Sequence, residues 1–142
     1  MVRTGRCSCG EVRYAIEGDL GPLVNCHCKY CRRAHGAAFA TVSWADASAL
    51  RITAGEELVR KFSGKGGFRA FCERCGTRLF NGLEKGPPFI ALIVASLDEE
   101  PERGPVMHLN LESKAPWYEI LDDLPRHDTL PPEVRRAIEG KD

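Results

Sequence analysis

The sequence predicts a mainly β fold, a single domain of short antiparallel sheets closed by a short C-terminal helix. Three observations predict it. Short apolar segments follow one another closely along the chain, some with the alternation of a half-buried strand. Glycine and proline break them apart, with Gly64, Gly66 and Gly67 at one turn and Gly86, Pro87 and Pro88 at another. Helical periodicity is confined to brief pieces. At 142 residues the chain fits one domain with a real core, and many short strands favour antiparallel sheets.

Taken in order, Val12, Tyr14 and Ile16 alternate between Gly10 and Gly18 and read as a half-buried strand. Residues 38–44, 50–53, 58–62, 68–71, 78–80, 89–95 and 106–111 are further strand candidates. A short turn at 45–49 has Asp46 as its cap. A helical turn or two is expected at 32–36 and a helix at 131–138, where Pro132 starts it and Val134, Ala137 and Ile138 give its apolar face. The chain after Pro125 is polar and proline-rich, so it is expected to be loosely attached. The predicted domain therefore spans 1–142, with a core at about 5–125 and a polar tail at 126–142.

Composition narrows the function classes. Lys plus Arg equals Asp plus Glu at 20 each, so no strong field favours nucleic acid or an anionic membrane. Lys29, Arg32 and Arg33 form only a short basic patch. No apolar stretch resembles a secretory signal or approaches the ~20 residues that cross a bilayer. An intracellular, cytoplasmic location is expected. A reducing compartment disfavours disulfides, and seven cysteines cannot all pair.

Those cysteines fall into three clusters: Cys7-x-Cys9, Cys26-x-Cys28-x-x-Cys31 and Cys72-x-x-Cys75. Residues two apart in extended chain point the same way, so Cys7 and Cys9 can present both sulfurs to one ion, as can Cys26 and Cys28. A turn between Cys28 and Cys31 brings in a third. Cys72-x-x-Cys75-Gly76 has the form of a zinc knuckle, with a glycine where the backbone needs unusual freedom, and Gly10 follows Cys9 likewise. Zinc takes four thiolates tetrahedrally in structural sites, and three protein ligands with one open position in catalytic ones. Cys7, Cys9, Cys72 and Cys75 supply the four, and Cys26, Cys28 and Cys31 the three, giving two Zn2+ per chain. A second partition joins Cys26 and Cys28 to Cys7 and Cys9, leaving Cys31 with Cys72 and Cys75. The local triad is preferred because it converges without help from tertiary structure.

His35, four residues after Cys31, is able to close the triad as a fourth ligand. A histidine near a metal more often supports a ligand than acts as one, so the triad is read as open. His27 lies between two candidate ligands and is expected to point away from them as a packing histidine.

Several segments resemble the glutathione-dependent formaldehyde-activating enzyme family, which includes centromere protein V. They are GRCSCGEVRY at 5–14, CHCKYCRR at 26–33, GAAF at 36–39, FCERCGTRL at 71–79 and SKAPW at 113–117. The resemblance spans about 5–125 and implies a β-tent domain. It also implies a structural zinc on Cys7, Cys9, Cys72 and Cys75 and a second zinc on Cys26, Cys28 and Cys31. Lys29 stands where that pattern more often has a small polar residue. The activity implied is a carbon–sulfur lyase-type reaction, condensing glutathione with formaldehyde to S-hydroxymethylglutathione. The triad would be its catalytic centre, with His35, His108 and residues 113–117 as further candidates for the cleft. Trp117, Tyr118 and Phe39 read equally as pocket wall or core. The alternative is a non-catalytic zinc module holding a protein partner. The same zinc chemistry on another thiol or carbon–sulfur bond is a third possibility.

Overall fold

The structure, a computed structural model, describes residues 1–64, 67–83 and 89–139. Gly66, Gly86, Pro87 and Pro88, read above as turn residues, lie outside the described residues, as do the side chains of Ala137 and Ile138.

In chain order the elements are β1 (Val2–Arg6), β2 (Arg13–Glu17), β3 (Leu23–Cys26), α1 (Lys29–His35), β4 (Ala40–Asp46), β5 (Leu50–Ala54), β6 (Val59–Gly64), β7 (Gly67–Cys72), β8 (Arg78–Leu83), β9 (Phe89–Ile93), β10 (Met107–Leu109) and α2 (Pro132–Glu139). The mainly β class is borne out. A three-stranded sheet runs β1-β2-β5 and a seven-stranded sheet runs β10-β3-β4-β9-β8-β7-β6. Every described pairing between strands is antiparallel except that of β10 with β3, which sets His108 against Asn25 and Leu109 against Cys26.

Two strands escaped the sequence reading for physical reasons. β1 has a single apolar side chain, Val2, and its register is fixed by pairing with β2 rather than by alternation. β3 is four residues long with three of them buried, too short for any period to show. α1 begins earlier than the turn expected at 32–36, because Cys28 acts as its N-cap: the sulfur accepts the Cys31 backbone N–H at 3.2 Å, the role usually filled by Ser or Asp.

The core has two parts. Val12, just before β2, and Tyr14 and Ile16 of β2 pack with Leu79, Ile90 and Leu92 of the large sheet, and Cys7 and Cys72 are buried among them. Val24, Val42, Ile93 and Leu109 form the second part, together with Cys31. Each cysteine group is therefore rooted in its own apolar cluster.

The segment after Pro125 corrects an expectation. It is not loose: the His127 N–H donates to His108 O at 3.0 Å, the Leu111 N–H to His127 O at 3.1 Å and the Glu112 N–H to Asp128 O at 3.2 Å. Leu130 packs on the second core part and Val134 of α2 is buried. Polarity hid this because the attachment is made by backbone groups, which composition does not report. Among the described residues, no helix is long and apolar enough to cross a membrane.

Candidate metal centres

The first centre is assembled from two matching turns. After β1, the Gly10 N–H donates to Cys7 O at 3.0 Å; between β7 and β8, the Gly76 N–H donates to Cys72 O at 2.7 Å. Both glycines sit in the left-handed region, at φ 78° and 79°, where a side chain would be strained. Cys7 N–H to Val12 O (3.1 Å) and Cys72 N–H to Thr77 O (3.0 Å) close the two loops alike. The sulfurs of Cys7, Cys9, Cys72 and Cys75 come within 4.8 Å of one another. Cys7 and Cys9 are 3.5 Å apart and Cys9 and Cys72 3.9 Å, contacts far longer than a disulfide, and all seven cysteines are free.

Thr77 joins the turns. Its hydroxyl accepts the Ser8 N–H at 2.9 Å and lies 3.2 Å from Cys75 Sγ. That hydroxyl is the main reason the Cys75 thiol is pulled down to about 5. Cys9 moves up to about 11: a backbone hydrogen bond from Glu11 favours its thiolate, but burial and the three neighbouring sulfurs oppose further charge. Four thiols this close cannot all ionise unless a cation offsets them.

The second centre is local. Cys26 ends β3, Cys28 caps α1 and Cys31 sits in its first turn, and their sulfurs also lie within 4.8 Å of one another. Each sulfur has its own donor residue. Asn110 Nδ2 donates to Cys26 at 3.2 Å, the Cys31 N–H to Cys28 at 3.2 Å, and the Arg69 guanidinium lies against Cys31 at 3.9 Å. Contacts with Cys26 and Cys31 favour ionisation of Cys28, whereas the same crowding by Cys26 and Cys28 raises Cys31. Each group can hold a metal ion, and no histidine joins either one among the described residues.

His35 therefore stands outside the triad's ligand set. Burial, then Arg78 and Arg69, hold it neutral, its pKa lowered to about 4, and its Nε2 is buried without a partner. His108, expected at the cleft, is buried with both ring nitrogens engaged: Nδ1 meets His27 Nε2 at 2.9 Å and Nε2 meets Asp122 at 3.0 Å. His27 is fully buried as a packing histidine, 5.0 Å from the Phe39 ring, and burial and then His108 push it down to about 4. Tyr118 completes this aromatic wall, 5.6 Å from Phe39.

Of the basic residues read from the sequence, Lys29 and Arg33 are exposed. Arg32 donates to Ser113 O at 2.9 Å and lies 5.8 Å from the Trp117 ring, so it ties α1 to residues 113–117. Trp117 itself is mostly exposed. The cation that touches the triad is Arg69, which the sequence reading missed along with Asn110, Thr77 and Asp122. Arg69, Asn110 and Asp122 reach their sulfur or ring from elsewhere in the chain, and Thr77 stands two residues from Cys75 but shows its role only by also meeting Ser8 across the two turns.

A mainly β chain with two cysteine groups, one of four sulfurs and one of three, is of a cysteine-rich class with two groups each able to hold a metal ion. Residues 2–113 match the family described as glutathione-dependent formaldehyde-activating enzyme. The chain belongs to that family. It is 33% identical over 132 residues to a Halomonas elongata protein described as "Putative glutathione-dependent formaldehyde-activating enzyme", covering 84% of this chain and 82% of that one. A crystal structure of a Rhodobacter sphaeroides protein shares the fold with a TM-score of 0.59 at 26% identity, covering 70% of this chain and 92% of that one.

Proposed function

We propose that the chain is a zinc enzyme that joins a thiol, glutathione, to formaldehyde, with the three-cysteine centre as its working site. The observation that carries the reading is that Cys26, Cys28 and Cys31 converge, each with its own donor residue, and no fourth protein ligand joins them among the described residues. Zinc suits both donor sets. A tetrahedral ion with Zn–S bonds of ~2.3 Å spaces its sulfurs at roughly 3.8 Å, and the Cys7–Cys9 and Cys9–Cys72 contacts of 3.5 and 3.9 Å bracket that spacing. The four-cysteine centre is then structural.

When bound at the triad, zinc supplies a position that lowers the pKa of an incoming thiol or polarises a carbonyl oxygen. In the reaction, the glutathione sulfur forms a bond to the formaldehyde carbon. The C=O π pair moves to oxygen, which takes the proton the thiol gave up. The chain's own part is electrostatic. Three thiolates outweigh one divalent ion by a negative charge, and Arg69 and the Asn110 amide stabilise the sulfurs that bear it. Arg32 braces α1 from the side of residues 113–117. His108 acts as a positioning residue, locked between Asp122 and His27. Seven free thiols fit a reducing, cytoplasmic setting, and one domain over 1–142 fits the length.

The test is the rate of S-hydroxymethylglutathione formation and breakdown with zinc-loaded protein, against the spontaneous rate. Acceleration proportional to protein concentration and lost in Cys28→Ser is expected. No acceleration at any protein concentration would sink the activity and leave a non-catalytic zinc module.

A further inference from the structure

The four cysteines of the closed centre do not share one environment. Cys7 and Cys72 are buried, whereas Cys9 and Cys75 are exposed. The triad has no exposed member: Cys31 is buried, and Cys26 and Cys28 are half-buried. The two exposed cysteines of the chain therefore belong to one centre, and each sits on a different one of the matching turns.

That placement has a chemical consequence. All four sulfurs lie within 4.8 Å of one another, so Cys9 and Cys75 are already near a partner that a disulfide joins at ~2.05 Å. A bond between them crosses from one turn to the other, as a shared metal ion does. A bond from Cys7 to Cys9 or from Cys72 to Cys75 stays within its own turn. Contacts that involve no sulfur also hold the turns face to face. The Ser8 N–H donates to Thr77 Oγ1 at 2.9 Å, the Thr77 hydroxyl donates to Ser8 Oγ at 3.0 Å, and Arg74 pairs with Glu11 at 3.4 Å. An oxidant arriving from water meets the outer sulfurs first, since cysteine oxidation follows exposure.

We propose that Cys9 and Cys75 form an oxidation site, at which a peroxide exchanges the metal clamp between the turns for a disulfide. The inference goes beyond the reaction at the triad and rests only on the closed centre holding metal. One outer sulfur attacks a peroxide oxygen and the O–O bond breaks. The departing hydroxide takes up a proton and leaves as water, and the sulfur is now a sulfenic acid. The other outer sulfur attacks it, the S–S bond forms and the S–O bond breaks, and that oxygen leaves as a second water. The two cysteines lose two electrons and hydrogen peroxide is reduced. With two ligands gone the centre releases its ion, while the buried Cys7 and Cys72 stay thiols. In a reducing compartment such a bond is transient, which suits a sensor.

The test is hydrogen peroxide titrated into zinc-loaded wild-type protein, with released zinc read by a colorimetric chelator and remaining thiols capped by N-ethylmaleimide. About one zinc per chain should be released in step with one disulfide, and dithiothreitol with added zinc should restore the starting state. Trypsin cuts after Arg74, so peptides 7–13, 70–74 and 75–78 separate and mass spectrometry locates the bond. The expected link joins 7–13 to 75–78, with maleimide on Cys7 and on Cys72. After chelation the oxidised protein should keep a cooperative melt that the reduced protein loses. A bond inside 7–13, a link between 70–74 and 75–78, or first oxidation among Cys26, Cys28 and Cys31 would each overturn the site. A cross-turn bond without zinc release, or in protein that melts no better than the stripped and reduced form, would overturn the exchange of clamps. None of these readouts depends on activity at the triad.

Discussion

The two cysteine centres are built in opposite ways. The four-cysteine centre joins turns 63 residues apart, the Cys9 and Cys72 sulfurs meeting across the join of the small sheet to the large one. The three-cysteine centre is contained in six residues, where a strand end and a helix cap converge by local geometry. On the reading proposed above, the first centre's ligands clamp the fold, whereas the second is held by the fold and keeps a position free. The difference teaches that ligand number alone does not mark a working site. What marks it is that metal can leave without separating elements of structure.

Breaking each centre in turn should give the largest effect. Cys75→Ser removes one of four ligands from the long-range clamp. Binding energy at such a site is folding energy, about 10–16 kcal/mol for structural zinc in small domains, so this variant should lose its cooperative thermal transition or aggregate. Cys28→Ser should keep a cooperative melt and drop from about two metal ions per chain to about one. Circular dichroism melts and metal analysis on both variants check this together. A stably folded Cys75→Ser with one ion would erase the contrast between the centres.

How much of this was legible follows the same divide. The two cysteine groupings and the mainly β class were readable because cysteine spacing and glycine placement are local signals. The partners of those sulfurs were not. Asn110 reaches Cys26 only because β10 lies parallel to β3, and Arg69 reaches Cys31 only because β7 passes near α1. The sequence marks both β10 and β7 as strand candidates, but which strand each lies beside leaves no trace in its own residues. His108 was singled out, yet its burial between His27 and Asp122 depends on the same parallel edge.

That buried pair yields the next effect. His108→Ala opens a cavity and strips the one ring hydrogen bond from a fully buried His27, a cost of roughly 2–4 kcal/mol. Urea unfolding should show it as a lower midpoint at unchanged slope, with metal content still about two per chain. A loss of metal at unchanged stability would instead place His108 at the metal itself.

A smaller pair of changes compares the polar support of the centres. Arg69→Gln should weaken metal retention at the triad by about tenfold and leave the closed centre alone, since it removes one charged donor from Cys31. Thr77→Val should act on the closed centre only, costing about 1 kcal/mol of stability through the lost Ser8 and Cys75 contacts. Competition with a chelator, followed as two classes of release, distinguishes them. Both variants weakening the same class would show that the centres are coupled rather than separate.

The smallest effect is a pH slope that asks whether the triad's openness is real. His35 is held neutral by burial, down to about 4, against an ordinary value near 6.5. Between those values the unfolded chain takes up a proton that the folded chain refuses. Stability is therefore full above about 6.5 and is lost as pH falls toward 4. His35 is only half-buried, so solvent screening trims its share to about 1 kcal/mol. The comparison belongs in the Cys28→Ser background, where acid release of triad metal does not intrude. There His35→Gln should flatten the slope of unfolding free energy between pH 6.5 and 4. If the slope does not change, His35 protonates freely in the folded chain. A ring free to reach water is also free to turn toward a metal four residues away. That outcome would recast the triad as a second closed centre, and the contrast between the two sites would collapse.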